Sequence, residues 1–121
     1  MFRVIIAGGR DFDDYELLRS RMDDLLNYKK DGITVVCGEA RGADSLGRRY
    51  AEERGYQIAS FPADWSKYHK QAGYIRNVEM ANNADALAAF WDGKSRGTKH
   101  MIETARKFGL QVKIIHYEPR Q

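Results

Sequence analysis

The chain has 121 residues, of which 43% are hydrophobic and 31% are charged, and its formal net charge at pH 7 is +3. This length predicts one domain with a single core, and without an apolar run of about 20 residues no membrane-spanning helix is expected. The single cysteine, Cys37, excludes an intramolecular disulfide, and no secretory leader is visible, so we expect a cytoplasmic protein. The small positive excess permits an anionic ligand but does not by itself indicate a nucleic-acid coat.

Short apolar runs alternate with segments of helical periodicity along the whole chain. The sequence predicts strands at residues 2–7, 33–37, 56–61, 84–91 and 112–116. It predicts a first helix that begins after Asp13 or Asp14 and is stopped by Asp31-Gly32, and further helices at residues 43–54, 72–83 and 98–108. Residues 62–71 are expected to form a polar and aromatic loop, and residues 117–121 a loose tail.

Near-continuous apolar strands that alternate with helices are typical of a parallel sheet covered on both faces. We therefore predict an α/β fold: a single Rossmann-like three-layer domain over residues 2–116, with a five-stranded, mainly parallel sheet and helices on both faces. In such a fold the loops at the carboxyl ends of the strands meet in one crevice, at the point where the strand order reverses.

Three glycine-containing loops each join a predicted strand to a predicted helix, at residues 8–10, 38–44 and 91–98. The third loop is the most informative. Ser95, Thr98 and the free backbone N–H groups at the helix start are hydrogen-bond donors, Lys94 and Arg96 are cations, and the helix dipole adds positive potential. This combination is typical of a phosphate site. Because the fold brings all three loops to one crevice, the sequence predicts a pocket for a phosphate-bearing ligand.

An aromatic and basic segment lies between the second and third loops. Trp65 and nearby tyrosines can stack on a base, Arg76 can pair with a phosphate or carboxylate through its planar fork, and Asn77 can read an amide-like edge. The alternative is structural: the aromatic residues shield a sheet edge, and Arg76 forms an ion pair with Glu79 or Asp44.

These motifs resemble the YspA/cpYpsA-related branch of the SLOG superfamily, over about residues 2–116. The matching segments, in the same order, are Gly8-Gly9-Arg10-Asp11-Phe12, Gly38-Glu39-Ala40-Arg41-Gly42-Ala43-Asp44, Pro62-Ala63-Asp64-Trp65, Ala72-Gly73-Tyr74-Ile75-Arg76-Asn77-Val78-Glu79-Met80 and Ser95-Arg96-Gly97-Thr98. The resemblance implies a Rossmann-like domain that binds nucleotides or nucleotide-derived ligands. Members of this branch are common in bacteria and phages, and related proteins are often dimers, which implies a homodimer or higher homo-oligomer.

The superfamily also contains lonely guy-type phosphoribohydrolases, which cleave the N-glycosidic bond of a nucleoside monophosphate. Arg76 and the loop before Thr98 resemble their motifs, but the carboxylate expected three residues after the threonine is replaced by Met101. Since cleavage of a ribosyl bond needs a carboxylate or another base, the candidate catalytic residues are Arg76 and Glu39. Further candidate carboxylates are Asp44, Asp64 and Glu79.

The predicted ligand-binding residues lie in the three loops and the aromatic segment: Gly8, Gly9, Arg10, Phe12, Gly38, Arg41, Gly42, Asp44, Asp64, Trp65, Arg76, Asn77, Trp91, Gly93, Ser95, Gly97 and Thr98. The leading hypothesis is a sensor or binding domain for a nucleotide-derived small molecule. The first alternative is an N-glycosidic hydrolase or transferase that acts on a nucleoside phosphate or an ADP-ribose-like substrate. The second is a single-stranded DNA binder, by resemblance to the DprA side of the superfamily.

No cofactor is required by any of these hypotheses. The three histidines, His69, His100 and His116, lack the spacing of metal ligands and are expected to be surface or capping residues. Mg²⁺ can arrive with a phosphate ligand. No membrane partner is expected.

Overall fold

The computed structural model describes residues 1–27, 29 and 32–119. Its strands and helices in chain order are β1 (Phe2–Gly8), α1 (Tyr15–Leu26), β2 (Ile33–Cys37), α2 (Ala43–Arg54), β3 (Gln57–Ser60), α3 (Trp65–Tyr68), a 3₁₀ helix (His69–Gln71), α4 (Ala72–Asn82), β4 (Ala86–Trp91), α5 (Arg96–Lys107) and β5 (Gln111–His116). The five strands form one sheet in the order β3-β2-β1-β4-β5. All four strand pairings are parallel, so the predicted fold class is confirmed.

The core consists of two apolar layers on opposite faces of the sheet. Successive residues of a strand point to opposite faces, so Ile6 of β1 packs in the layer that α1 and α2 cover, together with Leu18 and Tyr50. Ile5 points the other way and packs with Met80 of α4 and Met101 of α5. Burial of each such side chain stabilises the fold by about 1.5–3 kcal/mol.

The strand order reverses between β1 and β4. From β1 the chain runs outward through β2 to β3, and it then crosses to β4 on the other side. Gly8 at the end of β1 is paired in register with Phe90 near the end of β4. The loops that leave these two strands therefore diverge and open a crevice at the switch point.

Helix capping accounts for most of the element boundaries. The Asp14 carboxylate accepts the N–H of Leu17 at 3.1 Å, so the predicted cap of α1 is confirmed. That helix ends at Leu26, and Asp31, predicted to stop it, lies outside the described residues. Ser95 caps α5 by accepting the N–H of Thr98 at 3.4 Å, which starts this helix at Arg96, two residues before the predicted start.

The prediction of a loop at residues 62–71 is wrong from residue 65 onward, because α3 and the 3₁₀ helix lie there. The Asp64 carboxylate accepts the N–H of Lys67 at 3.1 Å and so caps α3. A four-residue helix is too short to show helical periodicity in the sequence, which is why the pattern did not indicate it.

Tyr117 is not part of a loose tail, contrary to the prediction. It is 8% exposed, its backbone N–H donates to the Trp91 carbonyl oxygen at 3.1 Å, and its hydroxyl donates to the Asp11 carboxylate. Its ring packs edge-on against Phe12, with the ring centroids 4.8 Å apart. Tyr117 is therefore part of the hydrophobic core. Residues 120 and 121 of the predicted tail lie outside the described part of the chain.

Candidate functional site

A cavity of about 490 Å³ opens at the carboxyl ends of the central strands. Its walls come from the three glycine-containing loops and from the segment that carries α3 and α4. The lining residues are Ala7, Gly8, Gly9, Arg10, Asp11, Ala40, Asp44, Trp65, Lys70, Gly73, Tyr74, Arg76, Asn77, Met80, Asp92, Ser95, Gly97, Thr98 and Met101. We call this cavity the cleft. The predicted convergence of the three loops on one crevice is thus observed.

The first and second loops are held together by close backbone contacts. The N–H of Ala43 donates to the Gly9 carbonyl oxygen at 3.1 Å. Gly42 has a φ of +76°, and a Cβ atom there would overlap the Gly9 carbonyl oxygen and lie 2.7 Å from the Arg10 backbone. Only glycine accommodates both the positive φ and the close approach. Gly42 therefore does not line the cleft, but it allows the close approach of the first and second loops that form its wall.

The third loop is organised by Trp91 and Asp92. The Asp92 carboxylate accepts the N–H groups of Lys94 and Ser95, both at 2.8 Å, and these two bonds lower its pKa. The indole N–H of Trp91 donates to the Ser95 carbonyl oxygen at 3.1 Å. This framework leaves Ser95, Gly97 and Thr98 facing the cleft at the N-terminus of α5, where the helix dipole favours an anion.

Arg76 is the most buried cation of the cleft. Its Nη1 donates to the Gly38 carbonyl oxygen at 2.5 Å and its Nε donates to the Asn77 Oδ1 at 3.0 Å. Desolvation lowers its pKa, an effect that the nearby Asp44 opposes. The guanidinium is thus fixed in orientation before any ligand arrives, which is the arrangement that binds an anion at low entropic cost.

Asp44 lies beside this guanidinium and is 5% exposed. Its burial raises the pKa of the carboxyl to about 6, although Arg76 and the backbone amides of Ala40 and Gly38 act in the opposite direction. Gly38 separates the two charged groups: a Cβ atom there would lie 2.5 Å from Arg76 Nη1 and 2.8 Å from Asp44 Oδ2. A buried carboxyl that titrates near neutral pH in a cleft is a marker of a functional site.

Replacement of Asp44 by asparagine is expected to stabilise the protein in a pH-dependent way. Because the folded-state pKa, about 6, exceeds the ordinary value of 3.8, ionisation of Asp44 weakens the fold above pH 6, and this loss vanishes below about pH 4. Asp44→Asn should therefore raise the free energy of unfolding by about 1–3 kcal/mol at pH 7 and by much less at pH 4.

Urea denaturation at both pH values measures this difference. The exposed Asp24 on α1 provides the matched control, because Asp24→Asn removes the same charge from a solvated position. A destabilised Asp44→Asn variant at pH 7, or equal stabilisation at both pH values, would contradict the assignment.

Glu39 lies outside the cleft, in an adjoining concavity of about 320 Å³. Its φ of +61° turns the side chain toward Arg48 and Ser60, whose side chains lie 2.6 Å and 2.9 Å from Oε1. The bond from Ser60 and the charge of Arg48 lower its pKa, although its limited burial acts in the opposite direction. Glu39 is therefore an ionised and engaged carboxylate, which suits a structural role better than that of a general base.

The two concavities are contiguous. They share four lining residues: Arg10, Ala40, Trp65 and Arg76. The second concavity adds two of the predicted ligand-binding residues, Gly38 and Arg41. The combined surface therefore presents three arginines, Arg10, Arg41 and Arg76, around the exposed Trp65 indole. Among the carboxylates that line this surface, only that of Glu39 lies in the second concavity.

Most of the predicted ligand-binding residues line one of these concavities, but five do not. Phe12 is 2% exposed and packs against Phe90 and Tyr117 in the core, so its prediction as a ligand contact is corrected. The other four lie beside the cleft and affect the backbone conformation there, either through a positive φ or through a hydrogen bond to a backbone group: Gly42, Asp64, Trp91 and Gly93.

Several residues that line the cleft are not among the predicted ligand contacts. Asp92 lies in the third loop and Asp11 directly follows the first, so both could have been inferred from the position of these loops after strand ends. Lys70 was missed because the two short helices around it were not predicted. Met80 and Met101 belong to a core layer and also line the cleft.

Within residues 1–27, 29 and 32–119, no group of three histidine, cysteine, aspartate or glutamate side chains is arranged to hold a metal ion. In the same part of the chain, every helix is too short or too polar to cross a membrane.

The strand order and the cleft at the switch point define a Rossmann-like α/β domain. The chain belongs to the YspA, cpYpsA-related SLOG family, whose model matches residues 2–68. It is 37% identical over 118 residues to the gene 61 protein of Mycobacterium phage D29, an alignment that covers 93% of this chain and 94% of the phage protein.

Two solved structures share the fold. DNA processing protein A (DprA) from Streptococcus pneumoniae matches with a TM-score of 0.76 at 15% identity, over 97% of this chain and 50% of DprA. The structural genomics target TM1055 matches with a TM-score of 0.67 at 20% identity, over 93% of this chain and 72% of TM1055. This chain thus spans half the length of DprA, and at these identities the likeness concerns the fold.

Proposed function

We propose that this protein binds a nucleotide or a nucleotide-derived ligand in the cleft and acts as a sensor or binding domain. The observation that carries the proposal is the convergence of three glycine-containing loops and three cations on one cavity. The cations are Arg10, Lys70 and Arg76. The fold likeness to a DNA processing protein is compatible with a ligand of the nucleic-acid type but leaves its identity open.

The phosphate is proposed to lie at the N-terminus of α5. There Ser95 and Thr98, whose hydroxyls lie 3.1 Å apart, line the cavity together with Gly97. Arg76, on the neighbouring helix α4, also lines the cleft, and its orientation is already fixed. Asp44 is placed to accept a ribose hydroxyl, a role that a carboxylate has in many Rossmann-like sites.

Trp65 is proposed to stack on the base. Its side chain borders both concavities and the residue is 51% exposed, which leaves a large aromatic face open to a ligand. Loss of a base–aromatic stack costs about 1–3 kcal/mol, so Trp65→Ala should weaken nucleotide binding by about 5–150-fold. Trp65→Phe should retain most of the affinity.

Isothermal titration calorimetry measures this effect. Phe108→Ala is the matched control, since Phe108 is 42% exposed at the end of α5 and does not line the cleft. An unchanged affinity in Trp65→Ala would exclude the stacking role.

Thermal unfolding against a ligand panel tests the proposed function. The panel contains nucleoside monophosphates, ADP-ribose, NAD, cyclic nucleotides and a short single-stranded DNA. A ligand at 100 times its dissociation constant adds about 2.7 kcal/mol, which should raise the midpoint by roughly 5–10 °C. A shift with a nucleotide supports the proposal. A shift with DNA alone, with a steep salt dependence, would replace it with the DNA-binding alternative, and no shift with any compound would contradict it.

One observation favours a second candidate function, N-glycosidic hydrolysis. Asp44, buried beside Arg76, has a pKa of about 6 and can hold or release a proton near neutral pH. In this proposal the ionised Asp44 carboxylate accepts a proton from water as the water oxygen adds to the anomeric carbon, the bond to the base breaks, and that proton passes to the departing base. Release of free base by the wild type, lost in Asp44→Asn while binding is retained, would favour the enzyme over the sensor.

Self-association also stays a prediction, which sedimentation velocity would check.

A further inference from the structure

A chain of hydrogen bonds runs from two residues that line the cleft, Arg76 and Asn77, into α5. It begins at Arg76, whose Nε donates to Asn77 Oδ1 at 3.0 Å. A guanidinium has only donors, so the amide of Asn77 must present its oxygen to Arg76 and its nitrogen to the other side. Asn77 is 5% exposed, and solvent therefore does not stabilise the reverse orientation.

The nitrogen of the same amide faces two groups of α5. Asn77 Nδ2 lies 3.4 Å from the Gly97 carbonyl oxygen and 3.1 Å from Nδ1 of His100. Because Nδ2 can only donate, Nδ1 must accept and carry no proton. The imidazole proton then sits on Nε2, which lies 3.5 Å from the hydroxyl of Thr104. The donor and acceptor chemistry thus specifies one tautomer of a neutral histidine.

The surroundings of the imidazole agree with a neutral ring. Tyr74 of α4 packs over it, with the ring centroids 4.3 Å apart. Partial burial lowers the pKa of His100, and Lys107 acts in the same direction, while Glu103 opposes both. A protonated imidazole would direct an N–H group at the N–H of Asn77, so protonation must break this contact.

We propose that His100 is a positioning residue of the cleft: its neutral imidazole fixes the amide of Asn77, which in turn orients the Arg76 guanidinium and holds the backbone at Gly97. Both of these groups line the cleft. The consequence for ligand affinity rests on the proposed function, whereas the tautomer and the hydrogen-bond chain do not. His100 acts through Asn77 and need not touch the ligand.

Nuclear magnetic resonance of the ligand-free protein tests the chain directly. Long-range ¹H–¹⁵N spectra at pH 7.5 should show His100 with its proton on Nε2. As the pH falls, the side-chain amide of Asn77 and the backbone amide of Thr98 should shift with the midpoint of His100. A proton on Nδ1 at pH 7.5, or amide resonances that do not follow the titration, would overturn the proposal.

Affinity for AMP tests the consequence for the cleft. His100→Leu removes the acceptor and should weaken AMP binding about tenfold at pH 7.5, whereas His100→Gln supplies a side-chain oxygen that can accept from Asn77 and should restore it. Both variants are checked for folding by circular dichroism. If His100→Leu does not fold, the glutamine variant and the ligand-free spectra still test whether His100 positions Asn77.

The pH profile separates a positioning role from a merely structural one. The AMP phosphate and Asp44 also titrate near pH 6, but they do so in both proteins. The ratio of the wild-type affinity to that of His100→Gln should therefore fall several-fold as the pH drops from 7.5 through the His100 midpoint that the spectra give. A constant ratio, or AMP binding by His100→Leu equal to that of the wild type, would overturn the proposal. If the wild type binds no AMP, the proposed function fails for this probe while the ligand-free spectra remain decisive.

Discussion

Gly42→Ala is expected to destabilise the fold by about 3–5 kcal/mol, because backbone strain and steric overlap act at the same position. The φ of +76° is unfavourable for alanine, and the new Cβ would overlap the Gly9 carbonyl oxygen. The obstacle is backbone of the first loop, which cannot rotate away as a flexible side chain would. Urea denaturation at pH 7 measures the loss.

Gly97→Ala is the matched control within the same cleft. No heavy atom lies within 4 Å of a Cβ built at Gly97, and the residue is in the first turn of α5. This substitution should leave the stability unchanged or raise it by up to about 1 kcal/mol, through the higher helix propensity of alanine. Equal stabilities of the two variants would show that the contact between the first and second loops does not shape the cleft.

Arg76→Ala is expected to weaken nucleotide binding by about 30–1000-fold, since truncation of a buried, hydrogen-bonded charge at a binding site costs about 2–4 kcal/mol. The substitution removes a part-buried cation from the cleft and frees the Gly38 carbonyl and the Asn77 amide that it orders. Arg76→Lys should recover part of the affinity, because it keeps the charge but loses the planar fork.

Calorimetric titration with the nucleotide identified by the unfolding panel provides the measurement. Arg48→Ala is the control: this arginine pairs with Glu39 at 2.6 Å and does not line the cleft, so its loss should change the affinity less than threefold. An Arg76→Ala variant that is folded and binds as tightly as the wild type would remove Arg76 from the site.

The sequence was sufficient to predict the architecture, because the architecture depends on local patterns. The bounds of α2, Ala43–Arg54, agree with the prediction, since a run of inward apolar residues ends at the left-handed Gly55, where the helix C-terminus was expected. The convergence of the loops followed from parallel topology alone. The misplacement of residues 65–71 and of Tyr117 has the opposite cause: short helices lack periodicity, and the contact of Tyr117 with Asp11 joins residues 106 positions apart.

The choice between candidate carboxylates could not be made from the sequence. Glu39 and Asp44 lie in the same loop, and their spacing does not indicate which one faces the cleft. The backbone decides: a φ of +61° directs Glu39 toward Arg48, whereas Asp44, in the first turn of α2, is directed under Gly38 toward Arg76. Such reversals depend on single dihedral angles, which residue type alone does not determine.

The most direct test of the proposed nucleotide site is a ¹H–¹⁵N correlation titration of the labelled protein with AMP, ADP-ribose and NAD. We expect at least one of these compounds to perturb most strongly the backbone amides of Gly9, Gly97 and Thr98, which lie on the two sides of the switch point. Perturbations confined to residues away from the cleft, or none with any of the three at millimolar concentration, would contradict the assignment of this cleft as a nucleotide site.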